Sequence, residues 1–300
     1  MQKIISILAL LAVLAIACNL PFTIVANPPT ITPTQAEAAT LPTNVPLPAT
    51  EMPGDLTAAP TPVAPGNGVI VGNISFVIPT GLASTATHEV IARAESDQVA
   101  PWEVAPEHTV FTLEDFSLPG KQMKAQIFVY PADDYANINQ GVAENIKKIK
   151  ALTSESGMDV NNDTMPHVPF YNAAQVIAAQ TQVFNFRNGA GVRYITQYGQ
   201  DVSPITNNWL FYTFQGLTSD GKIYIVAIFP IEVPVLAQGD VQNSPVPSDG
   251  VPFPDYNDPN ANFPAYFDAV TQKLNSLSPD AFSPVITQID ALIQTIQVVP

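Results

Sequence analysis

Side chains able to do chemistry are few in this chain, and they are scattered. His88, His108 and His167 are its three histidines, and they stand far apart in stretches that read as loop or strand end. Isolated imidazoles of this kind are more often structural or exposed than catalytic. There is no Gly-x-Ser-x-Gly elbow, Gly-rich phosphate loop or His-Glu-x-x-His pair. Asp159-Val160-Asn161-Asn162-Asp163 opens like a calcium loop. Thr164 then replaces the turn glycine and Phe170 the bidentate glutamate, so a polar turn is the better reading. Cys18, the single cysteine, excludes both a disulfide framework and a thiolate metal cage. No catalytic, metal-ligating or cofactor-binding residue follows from these patterns. A net charge of −15 over 300 residues also argues against nucleic acid as a partner, because binding to phosphates needs clustered cations.

Cys18 does carry a chemical signal, and its neighbours define it. Lys3 is the one charge among the first twenty residues, and Ile4 to Ala17 form an apolar run of fourteen. As a helix that run spans about 21 Å, short of the roughly 30 Å hydrocarbon layer, which fits a secretory signal better than a membrane span. Leu14-Ala15-Ile16-Ala17-Cys18 ends it. This segment resembles the lipobox of bacterial lipoproteins, with Ala15 where leucine is commoner. The resemblance implies cleavage between Ala17 and Cys18 and a diacylglyceryl group on the Cys18 sulfur, with fatty chains of the palmitate type. The membrane would then be a partner through that lipid, and the protein would sit on the extracytoplasmic face of a cell membrane. Each buried methylene adds about 0.8 kcal/mol, so two or more chains anchor firmly. A secretory signal without lipid and an uncleaved anchor are the alternatives.

Residues 1–17 thus read as signal peptide, 18–66 as a lipid-anchored linker and 67–300 as the globular domain. Residues 19–66 hold eleven prolines and nine threonines, with Glu37, Glu51 and Asp55 as their only charges. Prolines so spaced interrupt helices and ladders and favour polyproline II, so the segment is expected to be a disordered spacer.

The remainder predicts an α+β fold, a single antiparallel sheet with helices packed on it. Ile74, Phe76 and Ile78 alternate with more polar neighbours into a strand ending at Pro79, and strands follow over 109–118 and 124–130. Tyr135, Ile138, Val142, Ile146, Ile149 and Leu152 recur at steps of three and four, predicting one helix. Asp133 and Asp134 at its start, and Lys147, Lys148 and Lys150 near its end, complement the helix dipole. Strands over 175–186 and 192–198 flank a turn at Asn188-Gly189-Ala190-Gly191, and strands over 209–214 and 222–229 flank Ser219-Asp220-Gly221. This second pair is apolar on both faces, which places it at a sheet centre covered on both sides. Two helices close the chain, one capped by Asn262 with Pro264 in its first turn and one following Ser283-Pro284. Thr295 to Val299 can return as an edge strand. This order of elements is similar to PsbP-type domains over roughly residues 68–299; the similarity carries no motif and transfers no functional residue.

The segment between Ile231 and Asn262 is the oddity. It contains Glu232, Asp240, Asp249, Asp255 and Asp258, six prolines and neither lysine nor arginine. A connection of this length in a domain tends to be functional or disordered. Asp240, Asp249, Phe253, Asp255, Tyr256 and Asp258 are the candidate partner-loop residues, with the two aromatics as the means of docking. Together these features point to a non-enzymatic envelope lipoprotein, a binding or interaction module for an envelope protein or a small-molecule ligand. An extracytoplasmic hydrolase assembled only in the fold, and a carrier of small apolar ligands, are the competing readings.

Overall fold

A computed structural model describes residues 66–97, 99–154, 161–162, 164–239 and 244–299. Ala17, Cys18, the Pro/Thr-rich segment to Pro65, and Asp159, Asp163 and Asp240 lie outside the described residues. In chain order the first elements are strands β1 (Gly66–Val71), β2 (Ile74–Pro79), β3 (Thr85–Ile91), β4 (His108–Glu114) and β5 (Gln126–Pro131). Helices α1 (Ala132–Ile138) and α2 (Gln140–Leu152) follow. Next come strands β6 (Ala174–Gln175), β7 (Ala179–Phe186), β8 (Gly189–Thr196), β9 (Tyr198–Gly199), β10 (Phe211–Thr218) and β11 (Ile223–Pro230). Helices α3 (Phe263–Asn275) and α4 (Ile286–Gln294) and the short strand β12 (Gln297–Val298) complete the α+β order.

Strand pairing corrects the expectation of a single sheet. Among the described residues there are three antiparallel sheets: seven strands in the order β3-β4-β5-β11-β10-β8-β7, three in the order β1-β2-β12, and the ribbon β6-β9. β12 is an edge strand as its sequence suggests, but its partner is β2. The predicted turn at 188–191 moves upstream. Phe186 pairs with Gly189, so Arg187 and Asn188 make the turn and the two glycines belong to β8. At the β10–β11 turn Gly221 takes φ +72°, a conformation that favours glycine.

Apolar residues on both faces of β10 and β11 put these strands in the middle of the large sheet, and both faces are covered. Tyr212, Phe214, Ile225 and Phe229 pack against β2, α3 and α4 through Phe76, Tyr266, Val270, Ile289 and Ile293. Phe211, Leu217, Tyr224 and Val226 pack on the opposite side against Tyr135, Val142, Ile146 and Ile149 of α1 and α2. The stripe predicts one helix, and two carry it. Asn139 between them is extended (φ −140°, ψ 106°), and its side chain accepts a hydrogen bond from the Gly141 N–H at 3.1 Å, capping α2. A stripe at steps of three and four survives the break because both helices present it to the same core.

One buried ion pair ties α4 to the sheet. Arg193 of β8 (4 % exposed) lies 3.3 Å from the carboxylate of Asp290 (9 % exposed), which also accepts a 2.8 Å hydrogen bond from the Tyr212 hydroxyl. The other guanidinium nitrogens donate to the Gln180 carbonyl and the Gln182 side chain.

Candidate functional site

None of the three histidines meets another. His88 packs on Phe111, His108 on Tyr130 with ring centroids 4.4 Å apart, and His167 on Phe170 and Tyr198. Burial holds the His108 and His167 imidazoles below their usual range, and the Lys148 charge adds to this at His167. Asn161 and Asn162 of the calcium-like segment act as turn residues: Asn161 accepts from the Thr164 N–H, and Asn162 exchanges hydrogen bonds with Gln175 of β6. Among the described residues no group of three or more His, Cys, Asp or Glu could hold a metal ion.

The described acids of the 232–261 segment are engaged one at a time. Glu232 pairs with Lys121 at 3.0 Å, and Asp249 lies 3.8 Å from Lys273 of α3. Asp255 and Asp258 close local turns by accepting from the Asn257 and Asn260 N–H groups at 2.9 Å. The aromatics converge instead. Phe253 packs between Tyr256, Phe263 and Tyr266, with centroid distances of 5.2, 5.5 and 4.9 Å.

This aromatic cluster braces a neighbouring loop, residues 200–209. The Tyr256 hydroxyl donates to the Val202 carbonyl at 2.5 Å, and the Tyr266 hydroxyl accepts from the Ile205 N–H at 2.9 Å. From the strand side, the buried Gln197 amide donates to the Pro204 carbonyl and accepts from the Thr206 N–H, both at 3.0 Å. Asn207 makes reciprocal bonds to Val233, donating at 2.9 Å and accepting at 2.8 Å. The bonds to Pro204, Ile205, Thr206 and Asn207 are buried, so the segment is a preset wall: breaking one of them would strand a desolvated group.

The facing wall comes from the β6–β9 ribbon. Pairing of Gln175 with Tyr198 and of Ala174 with Gly199 brings residues 171–173 alongside residues 198–200. Gln200 then donates from its amide to the Asn172 carbonyl at 2.7 Å. Between the walls lies a cleft of about 570 Å³. Small-ligand sites occupy roughly 300–1,000 Å³. Tyr171, Tyr198 and Trp209 give it aromatic faces, and Asn172, Gln200, Asp201 and Ser203 give it polar ones. Tyr171 is 38 % and Trp209 36 % exposed, while half-buried Tyr198 packs on Tyr171 at 5.1 Å and edge-on to Phe211 at 5.3 Å. Burial of its hydroxyl pushes the Tyr171 phenol up to about 12, and burial raises Tyr198 well above the ordinary value, helped by Tyr194 and Tyr171. Both are therefore neutral phenols that keep their O–H. No lysine or arginine is among the described residues lining this cleft.

A second cleft, about 400 Å³, sits at the hairpin ends with Lys150 and Arg187 beside Thr153, Ser219 and Asn185. The carbonyl end of α2 faces the same region, and a helix C-terminus opposes anions. The strand expected over 209–214 begins at Phe211, so Trp209 lies before β10 and lines the first cleft. No family model, curated protein or solved structure matches the chain.

Proposed function

We propose that this chain is a lipid-anchored extracytoplasmic binding module of the cell envelope, with the Tyr171–Tyr198–Trp209 cleft as its ligand site. The reading of the anchor rests on the lipobox-like Leu14 to Cys18 segment and the proline-rich spacer after it. The observation that carries the binding role is the cleft itself: exposed aromatic faces between a loop wall held by buried hydrogen bonds and a facing wall set by the β6–β9 ribbon. Prebuilt sites bind well because little conformational entropy is lost when a ligand enters.

Retention of the full-length, detergent-solubilised chain on a detergent-washed envelope fraction of the producing cells tests this reading. Wild type is expected to sediment with the fraction, and the Tyr171→Ala, Trp209→Ala double variant to stay in the supernatant. Equal retention of the two, with unchanged near-UV circular dichroism, would remove the cleft from any binding role.

A further inference from the structure

We infer that the cleft takes a neutral saccharide, a reading that rests on the binding role proposed above. Three properties of the lining select the ligand chemistry. First, an aromatic ring presents a negative face, which attracts the weakly positive C–H bonds on the flat side of a sugar ring. Tyr171 and Trp209 are exposed enough to offer such faces. Second, Asn172, Gln200, Asp201 and Ser203 supply both donors and acceptors. Sugar hydroxyls also both donate and accept, so each can be satisfied from this set. Third, charge excludes the main rivals. With Asp201 in the cleft, no cation among the described residues lining it and a net charge of −15, a phosphorylated or carboxylated ligand meets repulsion.

An apolar ligand would cover the polar side of the cleft without replacing its hydrogen bonds to water, which costs free energy at each buried group. A proline-rich peptide also stacks on aromatic grooves. Its proline positions offer carbonyl acceptors and no N–H, whereas the Asp201 carboxylate can only accept. A saccharide presents hydroxyl donors on every ring, whereas a polyproline stretch presents donors only at its non-proline positions.

The test is a titration of the full-length chain in detergent, on a Trp102→Phe background so that Trp209 alone reports. The probes are tetrasaccharides of β-linked glucose, mannose and N-acetylglucosamine, with a synthetic peptide of residues 27–66 as the rival ligand. One tetrasaccharide is expected to change Trp209 fluorescence saturably. Tyr171→Ala should weaken that binding at least about tenfold, and Asp201→Asn by a smaller factor. Lys150→Ala in the hairpin-end cleft should leave it unchanged. No saturable response to any of the three sugars overturns the inference, as does a response that Tyr171→Ala leaves intact or saturation by the peptide alone. Because Tyr171→Ala can disturb Tyr198, the Asp201→Asn variant at the exposed rim and the melting temperature of each variant guard against misfolding. If cleft-dependent envelope retention persists while all three sugars fail, the ligand class is wrong and the binding module stands. If retention fails as well, both readings fall.

Discussion

Arg193 and Asp290 show how much one buried pair can weigh. Burial raises the Asp290 carboxyl above its ordinary 3.8, and the Arg193 charge beside it and the hydrogen bond from Tyr212 pull it back only in part. Desolvation therefore outweighs the attraction, the usual balance for a buried ion pair. Removing one partner is a different matter. Arg193→Met leaves the carboxylate buried beside Tyr212 alone and is expected to cost about 3–5 kcal/mol, read as a lower urea midpoint at unchanged slope. The pH dependence has a definite sign. A carboxyl that holds its proton more tightly when folded makes stability fall as pH rises from 3.8 to the folded value. Asp220 acts in the opposite sense. Hydrogen bonds from Thr218 and the Lys222 N–H lower it, so its contribution is present above 3.8 and is lost as pH falls through its lower folded value. Asp290→Asn should thus flatten the profile just above 3.8 and leave the acid limb below it untouched, in urea midpoints taken from about pH 2 to about pH 6. Nothing in local spacing announces the Arg193–Asp290 pair, because its partners stand almost a hundred residues apart.

At the scale of elements, short-range chemistry was the most legible. Asn262 accepts from the Ala265 N–H at 3.0 Å, with Pro264 in the first turn, as its sequence predicts. Ile286, Ile289, Leu292 and Ile293 of α4 face inward as their spacing requires. Asn139 is the instructive miss. Helical periodicity continues through it, yet its side chain caps α2 and also donates to the Val104 carbonyl at 3.4 Å. Gly141 beside it allows the Phe170 ring close, since a Cβ there would stand 2.7 Å from that ring. Asn139→Ala is expected to cost about 1 kcal/mol of stability, measured by chemical denaturation. A continuous helix would form no cap at Asn139, and the same substitution would then raise stability through helix propensity. The edge strands β1 and β3 escaped notice for a related reason: their residues are largely exposed, so no apolar alternation marks them.

For the molecule as a whole, the proposed anchor and the folded part make separable predictions. Cys18→Ala should move the chain from the detergent-rich to the aqueous phase in a cloud-point partition, while the melting temperature of the folded part stays unchanged. Equal partition of wild type and variant would end the lipoprotein reading. The sequence by itself determined the α+β class, the central position of β10 and β11, the Asn262 cap of α3 and the inward face of α4, and it carries the lipobox-like segment on which the anchor proposal rests. Each of these is written within a few residues, as a period, a cap or a short motif. Only the tertiary structure decided that the strands divide among three sheets, that the 135–152 stripe breaks at Asn139, and that the acidic segment's aromatics brace a loop while its described acids are spent on turns and ion pairs. It also decided that Tyr171, Tyr198 and Trp209 share one cleft. Period reports which face of an element is apolar; it does not report which distant strand will close against it. That choice comes from long-range pairing and from buried side chains such as Gln197, Asn207 and Tyr266, whose hydrogen bonds exist only once the chain has folded.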